Sequence, residues 1–137
     1  MTPPIPLDEA WRRLFALAHP LGVETIAVDE AAGRYLARDL LARRAQPTRD
    51  LSVMDGFAVR GDAPWRVIGE SRAGTSFPGS LRPGDAVRIS TGAACPTGTS
   101  GIVLREDATL EGATLTAAPP EAGRWIRREG FDFAEGA

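Results

Sequence analysis

Beyond Pro47 the chain is cut into short β-type runs, each closed by Gly, Pro, Asp or Thr, and this punctuation constrains its fold more than any other feature. Fifteen Gly and 11 Pro are spread along 137 residues instead of gathering in a linker, a pattern that favours many short strands joined by tight turns. The runs are Phe57–Arg60, Trp65–Gly69, Ala86–Ser90, Gly101–Arg105 and Ala113–Thr116. The segment before them reads differently. Leu7, Trp11, Leu14, Phe15 and Ala18 recur at helical spacing, with Asp8 and Glu9 in the first turn where the helix dipole favours acids. Pro20 and Gly22 are expected to stop that helix. Val23–Val28 alternates and reads as a strand, Asp29–Gly33 as a helical turn closed by glycine, and Tyr35–Ala42 fits helix or strand equally. The expected fold class is therefore α+β: a β-rich module of short strands with an N-terminal helical arm. The change of texture near residues 43–48 divides the chain into an arm over 1–46 and a compact β-rich module over 47–122. The tail, 123–137, is expected to return to the arm.

With 43% hydrophobic and 25% charged residues, the composition is that of one soluble domain with enough apolar material for a core. No apolar stretch approaches the roughly 20 residues that a spanning helix needs. The first residues, Met1 to Pro6, lack the basic start and apolar core of a secretory signal, so a cytoplasmic location is expected. Cys95 has no second cysteine to pair with, and with His19 alone beside it there is no set of ligands for a structural zinc. A net charge of −2 argues against a sequence-independent grip on DNA or RNA, which depends on many Lys and Arg contacts to phosphate.

Three segments carry possible chemistry. Ser52-Val53-Met54-Asp55-Gly56-Phe57-Ala58 sets a carboxylate at a turn between apolar anchors, although Asp-Gly between two β-type runs fits a plain hairpin turn as well. Between Arg88 and Glu106, a strand runs into a loop of small and hydroxyl residues around Thr91-Gly92-Ala93. Backbone N–H groups and the Thr91 hydroxyl could there face a phosphate or other oxyanion. A long hairpin with Gly, Pro and Thr at its turn is the plainer reading, and the Gly-Lys-Ser/Thr ending of a Walker loop is absent. Finally, Gly123 to Phe133 places Arg124, Arg127 and Arg128 near Glu129 and Asp132. Guanidinium forks suit phosphate or carboxylate, but a solvated basic face paired with Glu129 explains them too.

Taken together and in order, these segments resemble the N-terminal region of the MoeA family, the molybdopterin molybdenumtransferases, whose eukaryotic relative is the E domain of gephyrin. The family's Ser-x-Met-Asp-Gly-Tyr-Ala box matches residues 52–58, and its Glu-x-x-Ala-Gly box matches Glu70-Ser71-Arg72-Ala73-Gly74. Its Ile-x-Thr-Gly-Ala box, with the Val-Val pair and Glu that follow, matches residues 89–106. Its Gly-x-x-Ile/Val-Arg-x-x-Gly-x-Asp box matches Gly123 to Asp132. Upstream, Glu30 to Ala37 is similar to the family's Ala-x-Gly-Arg-x-Leu-Ala. Any one box would be weak, whereas four in order are specific.

The resemblance implies insertion of molybdenum from molybdate into adenylylated molybdopterin with release of AMP. It places catalytic roles on Asp55, Thr91 and Asp132, and substrate-binding roles on Ser52, Gly56, Gly92, Glu106 and Arg127. Asp55 and Asp132 are the expected ligands of a Mg²⁺ ion, which prefers oxygen, and Arg127 would neutralise phosphate. Phe57 stands where the family has Tyr, Leu51 where many members have Asn, and Trp125 where many have Asn. Family members continue into an α/β domain that recognises the pterin nucleotide and then a small β domain, and they assemble as elongated homodimers. The resemblance thus implies that these 137 residues supply half a site, completed by an α/β domain in cis or in trans. A truncated, non-catalytic module that binds molybdopterin, molybdate or a partner subunit is the alternative.

Overall fold

A computed structural model describes residues 4–19 and 21–137, which fall into two units, Met1–Leu40 and Leu41–Ala137. The first unit is built around helix α1, Leu7–Leu17. Its helical spacing is as expected, with Glu9 held by Arg12 and by Arg13 Nε (2.6 Å) and the rings of Trp11 and Phe15 stacked at 5.7 Å. Pro20, expected to stop the helix, lies outside the described residues. Backbone at Ala18 is already extended, so the helix ends before Gly22 is reached. Val23–Val28 does not form the expected strand. A strand persists only where a neighbour accepts its hydrogen bonds, and among the described residues this segment pairs with none. Val28–Glu30 forms a 3₁₀ turn, and Gly33 follows with φ +79°. None of the described residues of 4–40 is buried.

In the second unit the β-type runs all become strands. They are β1 (Leu51–Ser52), β2 (Gly56–Val59), β3 (Trp65–Ser71), β4 (Asp85–Ile89), β5 (Gly101–Leu104), β6 (Thr109–Glu111), β7 (Thr114–Thr116) and β8 (Ile126–Arg127). A six-stranded sheet has the order β5-β2-β4-β3-β7-β6, and β1 pairs with β8 in a separate two-stranded ribbon. All ladders are antiparallel except β3 with β4. The fold is thus mostly β with one N-terminal helix.

Alternation along the strands builds a core on each face of the large sheet. Phe57, Val59, Trp65, Ala86, Val103 and Leu115 pack on one side; Ala58, Leu81, Val87, Ile89, Ala93 and Ile102 pack on the other. Every residue of β2 is buried because that strand lies inside the sheet with both faces covered. Among the described residues no helix is long and apolar enough to cross a membrane.

The hairpin reading of Asp55-Gly56 does not hold. The strands on either side of this turn, β1 and β2, belong to different sheets, and neither Asp55 nor Gly56 has positive φ. Glycine is required at 56 for space: a Cβ there would lie 2.0 Å from the Val103 carbonyl oxygen. The tail, for its part, hydrogen-bonds to residues 42–50. Gln46 exchanges backbone bonds with Asp132 and Phe133, Gly130 N–H donates to Pro47, and Ala42 pairs with Gly136 and Ala137.

Candidate functional site

Strand register gathers three of the four sequence boxes at one end of the large sheet. Gly56, the first residue of β2, lies opposite Ile89 at the end of β4 and opposite Leu104 at the end of β5. The residues just before Gly56, just after Ile89 and just after Leu104 therefore emerge together. So do the last residues of β3, since the parallel ladder sets Ser71 beside Ile89. This end of the sheet brings Asp55, Thr91 and the 3₁₀ turn Arg105–Asp107 to one place, with Glu70 and Arg72 alongside.

Asp55 Oδ1 accepts two hydrogen bonds from Thr91, one from the backbone N–H (2.7 Å) and one from the hydroxyl (2.8 Å). The Asp55 carbonyl accepts the Arg105 N–H at 3.3 Å. Although Asp55 is exposed, these bonds stabilise its ionised form. The Thr91 N–H and then the Thr91 hydroxyl hold its carboxyl below the usual value against an opposing desolvation, with the Arg105 charge adding least. Both bonds land on Oδ1, which leaves Oδ2 without a hydrogen bond among the described residues. Glu70 is likewise held low, chiefly by its hydrogen bond from Arg72 at 2.8 Å, with the charges of Arg72 and Arg88 adding to it. Arg88 lies 5.4 Å over the Phe57 ring, so the aromatic ring at 57 serves packing and a cation contact without the hydroxyl of a tyrosine.

The other expected site residues take varied places. Ser52 is 2% exposed; its hydroxyl donates to the Met54 carbonyl at 2.6 Å and so shapes the turn that presents Asp55. The Gly92 N–H, expected to face an oxyanion, donates instead to the Ser52 carbonyl (2.8 Å). Gly92 itself sits at φ +78°, a conformation that glycine adopts without strain. Glu106 is exposed on the 3₁₀ turn beside Asp55. Arg127 is engaged with Asp132 and lies 5.0 Å over the Phe131 ring. No hydrogen bond or ion pair among the described residues joins the Asp55–Thr91 pair to the Arg127–Asp132 pair. Nor do three Asp, Glu, His or Cys side chains converge as a metal cage among those residues.

Three residues that matter to this geometry were not among the expected site residues. Asp50 accepts Arg128 (2.5 Å) on one carboxylate oxygen and the Glu129 N–H (2.9 Å) on the other, fastening the tail beside β1. Ser71 is wholly buried beneath the Thr91 loop. Trp125 adopts φ +61°, the left-handed region where Asn is tolerated and a bulky residue is strained.

Residues 5–137 match the family model described as the MoeA N-terminal region (domain I and II). The chain is 36% identical over 138 residues to the molybdopterin molybdenumtransferase of Haemophilus influenzae, an alignment that covers 95% of this chain and 34% of that protein. It is 38% identical over 130 residues to the molybdopterin molybdenumtransferase of Synechococcus elongatus, covering 86% and 32%. The solved structure of the molybdopterin biosynthesis MoeA protein from Pyrococcus horikosii superimposes with a TM-score of 0.76 at 27% identity, over 96% of this chain and 37% of that one. The chain spans about a third of the length of these relatives. With the family model covering nearly every residue and the four boxes assembled on one fold, the chain belongs to the MoeA family and corresponds to its N-terminal region.

Proposed function

We propose that this chain acts in molybdenum cofactor biosynthesis as the N-terminal part of a molybdenumtransferase, taking molybdate and adenylylated molybdopterin as substrates and releasing AMP. The observation that carries this reading is the bond between two sequence boxes: Asp55 of the first is clasped by Thr91 of the third at the sheet end where Glu106 also emerges. An ionised carboxylate with one free oxygen, set rigidly at an exposed edge, can orient a substrate group or a hydrated cation. Arg127 can turn from Asp132 to a phosphate, because the pair is exposed and such pairs are worth little, on the order of 0–1 kcal/mol.

Magnesium fits only as an ion that arrives with substrate. It takes six oxygens, and this chain offers Asp55 Oδ2 and the paired carboxylate of Asp132; Mg²⁺ held by one or two carboxylates completes its shell with water and phosphate oxygens. Bound there, it would neutralise phosphate charge. The remaining wall of the site is assigned to an α/β pterin-binding domain, in cis or from a second subunit of a cytoplasmic homodimer.

One observation favours the alternative, a binding module without turnover. Thr91, the Gly92 N–H and Arg127 are all engaged within the chain itself, so few donors are presented without a partner domain. The test measures AMP release from adenylylated molybdopterin with molybdate, using this chain with and without a separately supplied α/β domain. Release in the mixture supports the catalytic reading. No release in either sample, with native circular dichroism, leaves only the binding module.

A further inference from the structure

The Glu70–Gly74 box has no role in the chemistry above, yet its second residue, Ser71, is among the most buried polar groups of the described residues. Ser71 ends β3 with 0% exposure. Its hydroxyl donates to the Ala94 carbonyl (2.8 Å) and accepts the Phe77 N–H (3.3 Å), and its own carbonyl accepts the Ser90 N–H (3.2 Å). One residue thus grips both ends of the short stretch Ser90–Ala94 that contains Thr91. Were packing the only need, an alanine would fill a site of this size without the cost of burying a hydroxyl.

We propose that Ser71 is a positioning residue for the candidate site: it fixes the Ser90–Ala94 loop from inside so that the Thr91 N–H and hydroxyl both meet Asp55 Oδ1. The geometry stands on this chain alone, while its functional meaning rests on reading Asp55 and Thr91 as site residues. Apart from the Asp55 carboxylate itself, the opposite flank of the loop is held by backbone, through Gly92 N–H to Ser52, Ser52 N–H to Ala93, and Cys95 N–H to Asp50. Ser71 is therefore the side-chain anchor of the loop on its β3 side. Its own position is well determined. Phe77, whose N–H it accepts, is wedged where a Cβ at Gly69 would lie 2.6 Å, and one at Gly79 2.7 Å, from the ring. Arg72 and Thr75 exchange backbone bonds (both 2.9 Å) around a turn in which Gly74 has φ +83°. The box thus divides its labour: Glu70 and Arg72 pair outside, Gly74 makes the turn, and Ser71 faces inward to the loop.

The test is made on the free chain, without substrate, so that its outcome is independent of whether the chain turns over. In Ser71→Ala, the coupling across the hydrogen bond from the Thr91 amide to the Asp55 carboxylate is read by NMR and amide exchange is followed residue by residue. The expected result is loss of that coupling and at least tenfold faster exchange at Thr91, with Val87 and Ile102 unchanged. An intact coupling with unchanged Thr91 exchange overturns the proposal. So does a uniform acceleration at every amide, which marks a merely structural role. Should Ser71→Ala not fold, native-state exchange of the unmodified chain in low denaturant decides. Thr91 and Phe77 amides opening together support the anchor, and Thr91 opening while Phe77 stays protected refutes it.

Discussion

Asp55 Oδ1 receives both the N–H and the hydroxyl of Thr91, at 2.7 and 2.8 Å, so two segments far apart in the chain close on a single oxygen. These bonds exist with the ionised carboxylate, and they hold the folded-state pKa of Asp55 below its unfolded value. The stabilisation is therefore fully present above the ordinary aspartate pKa of about 3.9 and is lost as pH falls through the lower folded value. Asp55→Asn should accordingly flatten the acid limb of the stability profile. Urea midpoints of the two proteins should differ at pH 7 and converge towards pH 2; a constant difference across that range would contradict the bond as described.

Gly56 owes its place to the closeness of β2 and β5. In Gly56→Ala the new Cβ would sit 2.0 Å from the Val103 carbonyl oxygen, a backbone atom that moves only if the ladder moves. Overpacking of this kind costs about 1–3 kcal/mol and more where backbone must shift. A loss at or above about 3 kcal/mol is expected from chemical denaturation. A loss well under about 1 kcal/mol would mean that the strands can part freely there.

How far the fold was legible in the sequence depends on how local its causes are. Runs such as Ala86–Ser90 and Gly101–Arg105 declare themselves because alternation and flanking turn residues are local signals. Val23–Val28 has the same texture but is not a strand, since pairing depends on a neighbour and no local residue reports that the described residues offer none. The same limit applies at the site. The boxes marked Asp55 and Thr91 separately, but their shared hydrogen bonds follow from the Gly56–Ile89 register, which is a long-range property. The contacts of Asp50, Ser71 and Arg105 were silent for that reason: each acts on a partner that only the folded chain brings near. Trp125 could be noticed as a departure from Asn, but its left-handed φ could not be read from the residues around it.

The left-handed backbone at Trp125 sets up a comparison in which packing cancels. Trp125→Asn and Trp125→Ala both remove the half-buried indole and its contact with Arg124 at 5.3 Å. Elsewhere Ala is no worse than Asn. At φ +61°, where Asn is tolerated and other residues carry roughly 1 kcal/mol of strain, the Asn variant should be the more stable by about 0.5–1 kcal/mol. Equal midpoints, or Ala ahead, would show that the left-handed conformation relaxes once the indole is gone.

Cys95 reports on the fastening of the tail. Its thiol is pushed up to about 11, first by burial and then by the negative charge of Asp50, with Arg128 opposing. At pH 8 the unmodified chain should therefore alkylate on the order of a hundredfold more slowly than an ordinary thiol of pKa about 8.5. Asp50→Asn removes the charge and one partner of Arg128, whose ion pair with Asp50 is largely exposed. Because burial is the larger cause, the rate should rise only severalfold and stay well short of that of a free thiol. The same variant should be cut faster by trypsin after Arg127 or Arg128, since Asp50 no longer accepts from Arg128 as a carboxylate. Full free-thiol reactivity in Asp50→Asn would mean that the tail had come away and exposed Cys95, making the Asp50 bonds far stronger than the roughly 0–1 kcal/mol of an exposed pair.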